Sequence, residues 1–244
     1  MMKSRIQSEH RWALTVAAAL GTAVGAAQVA AATVGASTCG TLNNGYGPYD
    51  YRVDRGGTLA IVENYHFTPE VEALIKGISS SVGGELDYTL RAFPNHHRAL
   101  LALARLEKRT KFTQPAGLHY PVECYFDRAL RFRADDTTVR MIYANYLFDR
   151  ARPSEADAQL ERVDALAGDN AFTHYNVGLI YAERKNFDKA VEQARKAYSL
   201  GFTRTELRDQ LKAAGKWTES EPKAQDAAAS QAASLLPSAS GASQ

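Results

Sequence analysis

Between Asn170 and Phe202, small and apolar residues recur in steps of three and four, separated by polar positions. Val177, Gly178 and Tyr181 share one face of a first helix, and Ala190, Ala194 and Ala197 form one stripe of a second. Glycine and alanine at these positions let two antiparallel helices approach closely. Stepping back 34 residues puts Ala144 under Gly178, and Ala156, Leu160 and Val163 under Ala190, Ala194 and Ala197. Further upstream, Leu100, Leu103 and Ala104 and then Phe126 and Ala129 give another pair. Pro94 to Ala134 is 40 residues, six more than the period, so Thr113–Pro121, with Pro115, Gly117 and Pro121, is an insertion in the turn. Before it, Thr68-Pro69-Glu70 reads as a helix start, continued by Val71, Leu74, Ile75 and Ile78. Glu85–Phe93 reads as its partner helix. Thr203 and Glu206 are spaced as a capping box, which predicts a last helix, Thr205–Ala214, stopped by Gly215. Nothing alternates with the period of a half-buried strand, so the class is all-α.

A 34-residue period with small residues in register resembles the tetratricopeptide repeat, strongly over Asn170–Phe202, less so over Asp136–Asn170 and weakly upstream. The resemblance implies an α-solenoid of about four helix pairs with a C-terminal capping helix, over residues 68–217. It implies a binding scaffold whose concave groove is lined by the first helix of each pair. Carried over position by position, the lining is Arg98, Leu101, Arg105, Lys108 and Arg109; then Thr138, Met141, Asn145, Phe148 and Asp149; then Phe172, Tyr175, Leu179, Ala182 and Glu183. Helix geometry independently puts Arg98, Arg105 and Arg109 on one face. A basic end leading to an apolar, partly acidic end suits a peptide with a negative segment followed by aromatic or aliphatic anchors. The alternative is a solvated charged face, with the arginines paired to Glu107 and Asp127. Leu101 and Arg105 stand where the carboxylate clamp of heat-shock co-chaperone domains has Lys and Asn, so a C-terminal carboxylate ligand is not expected.

The chain ends are of another composition. Lys3, Arg5 and Arg11 precede an apolar run, Trp12–Leu20, and small residues that end in Val34-Gly35-Ala36, the layout of an export signal over residues 1–36. An uncleaved membrane anchor is the alternative, since Trp12–Val34 carries no charge; it would be the chain's one membrane contact. Residues 37–67 are rich in turn signals, and Thr41–Glu63 reads as mostly turn and extended chain. Its Tyr46, Tyr49 and Tyr51 are expected to pin that segment onto helices. Residues 218–244 form an Ala/Ser-rich tail expected to be disordered. Removing Lys3, Arg5, Arg11 and Glu9 from the 29 basic and 27 acidic residues leaves the remainder neutral, which argues against a nucleic-acid partner. In an exported protein two cysteines, Cys39 and Cys124, are expected to form a disulfide. Lipidation of Cys39 is the competing reading, but Ala36-Ser37-Thr38 is a poor lipobox.

Known catalytic spacings are missing: no HExxH, CxxC, phosphate loop or nucleophile elbow occurs. His96-His97 is the nearest approach to a metal pair, yet adjacent helical residues point about 100° apart. No activity, cofactor or metal is expected. HFTPEVEALIKG (His66–Gly77), LDYTLRAFPNHHRAL (Leu86–Leu100), ECYFDRALRF (Glu123–Phe132), THYNVGLIY (Thr173–Tyr181) and LKAAGKW (Leu211–Trp217) are similar to segments of a family of exported proteobacterial tetratricopeptide proteins. That resemblance implies export and one repeat domain but supplies no activity. The expected function is a non-catalytic periplasmic scaffold binding a partner protein or peptide in cell-envelope assembly. A periplasmic glycan or peptidoglycan-fragment binder, using Tyr46–Tyr51 and the groove, is the alternative.

Overall fold

The computed structural model describes residues 38–218. The expected signal or anchor and nearly all of the Ala/Ser-rich tail lie outside the described residues. Ten helices and no strand occur among the described residues: α1 (Gly57–His66), α2 (Pro69–Glu72), α3 (Val82–Ala92), α4 (His97–Thr110), α5 (Val122–Phe132), α6 (Thr137–Phe148), α7 (Pro153–Ala167), α8 (Ala171–Glu183), α9 (Phe187–Ser199) and α10 (Glu206–Ala213).

The 34-residue period is carried by the backbone as well as by side chains. Helices α6 and α7 pack along each other, as do α8 and α9, in the most extensive helix–helix contacts of the fold. Thr137 and Pro153 open the first pair, and Ala171 and Phe187 open the second, 34 residues later in each case. Asp136 and Asn170 cap equivalent helices by accepting the N–H of Val139 and Thr173. Ala151 and Lys185, also 34 apart, turn the chain at positive φ (55° and 59°). Ala144, Ala156, Ala190, Ala194 and Ala197 are fully buried in the seams. At Gly178 the approach is closest, because an added Cβ would lie 2.6 Å from Leu207 Cδ2 of α10. Leu207 and Leu211 are fully buried there, so α10 covers the last apolar face. Its C-terminus is at Gly215 (φ 67°), as the sequence predicts. The capping box is not formed. Thr205 takes the N-cap without a side-chain bond, and the Glu206 carboxylate instead accepts from Arg204 and from the Tyr175 hydroxyl.

The N-terminal third departs most from expectation. Helix α2 stops after Glu72, although Leu74, Ile75 and Ile78 continue its apolar stripe. Leu74 adopts positive φ (60°), and the N–H groups of Leu74 and Ile75 return to the carbonyls of Val71 and Glu70, a Schellman-type ending. Other side chains satisfy the backbone that a longer helix would have used. Arg105 and Arg109 of α4 donate to the carbonyls of Glu72 and Leu74, at 3.2 and 2.7 Å. The Glu85 carboxylate accepts the N–H groups of Ile78, Ser79 and Ser80, at 2.7–3.0 Å. Ile75 and Ile78 are therefore left exposed. Helix α1 falls within the stretch expected to be irregular. It buries only Leu59 and Val62, a stripe too narrow to stand out in the sequence. These two join Tyr51, Ala92 and Phe93 in a small second core, with Tyr46 and Tyr49 packed against it, so the tyrosines do pin the segment.

The segment is also held by polar and covalent ties. Asn95 is fully buried: its amide donates to Asp50 (2.7 Å) and Asp136 (2.9 Å) and its carbonyl accepts the Tyr51 N–H (3.0 Å). Buried Arg128 donates to the carbonyls of Cys39 and Thr41. Cys39 and Cys124 form the disulfide, across a sequence separation of 85. Replacing both cysteines by serine should cost about 4 kcal/mol, the chain-entropy value for a loop of this length. Urea denaturation of the double variant beside the oxidised protein measures it, and an unchanged midpoint would rule out the staple.

Glu85 gives a second expectation. Burial alone would push its carboxyl up, yet the His66 ring and the N–H groups of Ser79, Ser80 and Ile78 outweigh it and hold the pKa at about 2. A carboxyl depressed in the folded state stabilises the fold fully above its ordinary value near 4.5, and loses that contribution as pH falls toward about 2. Glu85→Gln should therefore be less stable than the parent at pH 6, with the gap closing between pH 4.5 and 2, as read by thermal melts across that range.

Candidate binding site between α4 and α6

Helices α4 and α6 face each other with matching stripes. On α4, Leu101, Ala104, Arg105 and Lys108 fall at steps of three and four. On α6, Ile142, Asn145, Tyr146 and Asp149 repeat that spacing. Between them lies an open cavity of about 420 Å³, completed by Glu107, Lys111, Thr113 and Arg150. Its floor is apolar and its rim charged. Lys108 pairs with Asp149 at 3.1 Å, and Asp149 with Arg184 at 2.9 Å, in exposed contacts that a ligand can exchange at little cost.

The most informative group is Glu107. It is 3% exposed, and its Oε1 meets the Arg150 guanidinium, which stacks 4.2 Å over the Tyr146 ring. Its Oε2 is buried with no hydrogen-bond partner among the described residues. Burial pushes the Glu107 carboxyl above its ordinary value, against the opposing pull of Tyr146 and Arg150. A second cavity of about 210 Å³, toward Pro121, Glu123 and Cys124, shares Glu107, Thr113, Tyr146 and Arg150 with the first. Glu107 thus stands in the wall between two hollows.

The residues expected to line a groove divide into three groups. Leu101, Arg105, Lys108, Asn145 and Asp149 are brought together in the cavity. The other two arginines of the basic face are held by the chain itself. Arg98 bridges Glu63 and Glu72, and Arg109 is spent on the Leu74 carbonyl; the expected partners Glu107 and Asp127 bond instead to Arg150 and Arg131. Met141, Phe148 and Leu179 are half-buried against the core, and Ala182 is buried in it. Tyr175 is also buried, its ring 4.4 Å from Phe202 and its hydroxyl on Glu206, so it is not a contact surface. Phe172 and Glu183 are exposed at the far end. The sequence reading missed Glu107, Lys111, Ile142, Tyr146 and Arg150. One signal was available: Glu107 stands seven residues after Leu100, an acid in a stripe that should be apolar.

The histidines are occupied separately. The Nδ1 of His96 accepts the Ala99 N–H, which leaves its Nε2 to donate to Glu63, whereas His97 turns to Asp136. His119, Tyr125, Arg91 and the His119 N–H all converge on Asp87, tying the 113–121 turn to α3. The Tyr46–Tyr51 segment is packed against the second core, which deprives a sugar-stacking platform of its free ring faces. No protein-family model matches the chain, and no curated protein matches it in sequence.

The half-satisfied acid has a thermodynamic signature. Arg150→Met removes the cation facing Glu107 and should destabilise by about 2 kcal/mol at pH 7, less than for a fully buried pair because Arg150 is partly exposed. A carboxyl whose folded pKa is raised is stabilising when protonated, so this variant should recover stability as pH falls from 7 toward 4.5. Glu107→Leu combined with Arg150→Met should be neutral or stabilising, since an apolar pair replaces an imperfect ionic one. Chemical denaturation of the three proteins at pH 7 and pH 5 checks both signs.

Proposed function

We propose that this chain is a non-catalytic tetratricopeptide-type scaffold of the periplasm, which holds a partner protein or peptide in cell-envelope assembly. The observation that carries the reading is the cavity between α4 and α6, whose apolar floor and charged rim come from the inner helices of two successive pairs. In this reading α2/α3, α4/α5, α6/α7 and α8/α9 are the four pairs, and α10 is the cap. The 34-residue offset of α6/α7 and α8/α9 supports the repeat assignment, and the Cys39–Cys124 disulfide is compatible with an oxidising compartment. The usable docking surface is shorter than a groove running the length of the array, because Arg98 and Arg109 are bound to the N-terminal segment and Tyr175 is covered near α10.

A photo-crosslinking amino acid placed at Leu101, and at exposed Arg162 of α7 as control, tests this in intact cells. The expected result is a discrete adduct to one envelope protein from position 101, lost when Lys108→Glu is added and absent from position 162. Equal adducts from both positions, or none from position 101, would overturn the proposal.

A further inference from the structure

We infer that the α4–α6 cavity receives one aromatic side chain that carries its own hydrogen-bond donor, a tryptophan or a tyrosine, from an acidic peptide segment. This deepens the scaffold reading and rests on it. The ring would lie against Leu101, Ala104 and Ile142, its N–H or O–H would donate to Glu107 Oε2, and flanking carboxylates would meet Lys108 and Lys111.

The argument proceeds by eliminating anchors. A purely apolar side chain would seal Oε2 away from water with its lone pairs still unfilled, which is costly for a buried carboxylate. A lysine or arginine anchor would supply a donor but would enter a lining that holds Arg105, Lys108, Lys111 and Arg150 against only Glu107 and Asp149. An anionic anchor suits the rim, yet at the floor it would meet the Glu107 carboxylate. What remains is a neutral donor on an apolar body, which among side chains of this size means indole or phenol. The volume agrees: about 420 Å³ is at the small end of ligand pockets, enough for one large side chain and its adjoining backbone. The positive excess at the rim then selects acidic flanks. Lys108 offers a mostly exposed ammonium, whose surface pair with Asp149 an incoming carboxylate can replace.

Fluorescence polarisation on the oxidised full chain tests the inference. The probe is a fluorescein-labelled, end-capped peptide with a single tryptophan between runs of glutamate, compared with versions carrying phenylalanine at the centre or lysine in the flanks. The tryptophan peptide should bind about tenfold more tightly than the phenylalanine one, the worth of a hydrogen bond to a charged group. Lysine flanks should abolish binding, and rising salt should weaken it. Leu101→Trp, at an exposed position that tolerates bulk, should block the cavity and abolish binding. The Glu107→Leu, Arg150→Met double variant should bind both central residues equally while keeping its dependence on acidic flanks. Equal affinity for tryptophan and phenylalanine in the parent would overturn the donor role, and binding that survives Leu101→Trp would place the site elsewhere. If no peptide binds while the position-101 crosslink persists, this inference falls and the scaffold reading stands; if both fail, both fall. Sedimentation that detects a dimer dissociated by Leu101→Trp would also overturn it, since a second copy would then be the occupant.

Discussion

A helix pair of this kind presents apolar surface to a neighbour on each side, so a stack of pairs stays in solution only if both ends are covered. That constraint shapes the whole molecule. At the C-terminal end the cover is small: α10 sets Leu207 and Leu211 onto the face notched at Gly178. At the N-terminal end it is large. Helices α1 and α2 and the chain from Cys39 are bound to α3, α4 and α5 by the disulfide, the buried Asn95 cluster and the carbonyl contacts of Arg105, Arg109 and Arg128. Between the covers, α4 and α6 meet across a seam that is not filled to the surface.

How far the sequence disclosed this follows from which forces are local. The pairs α6/α7 and α8/α9 were legible because packing, capping and turn residues all repeat with one spacing, and the disulfide because two cysteines leave one pairing. Helix α2 was over-read because its stripe continues through Ile78, while its end is set by arginines on α4 some thirty residues away in the chain. The basic face of α4 was read correctly as a face but not as an occupied one. Whether an arginine meets solvent or a carbonyl of its own chain depends on where a distant loop passes. Thr203 and Glu206 show the same limit, since a local cap lost to a tertiary bond with Tyr175.

Glu107 belongs to another category, because a local rule was broken and the break was visible. An acid at an apolar-stripe position costs desolvation, and here only one of its oxygens meets a full charge. Leucine at that position would be expected to fold at least as well. Departures of this type mark places where stability has been given up, and they concentrate at sites that act on something else.

The position of the acid also bears on affinity. The Arg150 guanidinium lies between the Tyr146 ring and Glu107 Oε1, so the carboxylate is fixed by contacts on one side while its free oxygen stays oriented. A donor arriving there meets an acceptor already aligned and already stripped of water, and most of the ordering and desolvation cost has been met during folding. The exposed Lys108–Asp149 pair, by contrast, must reorganise and can contribute orientation and rate more than depth of binding. Discrimination at this seam should therefore reside in its buried acid, and encounter in its mobile cations.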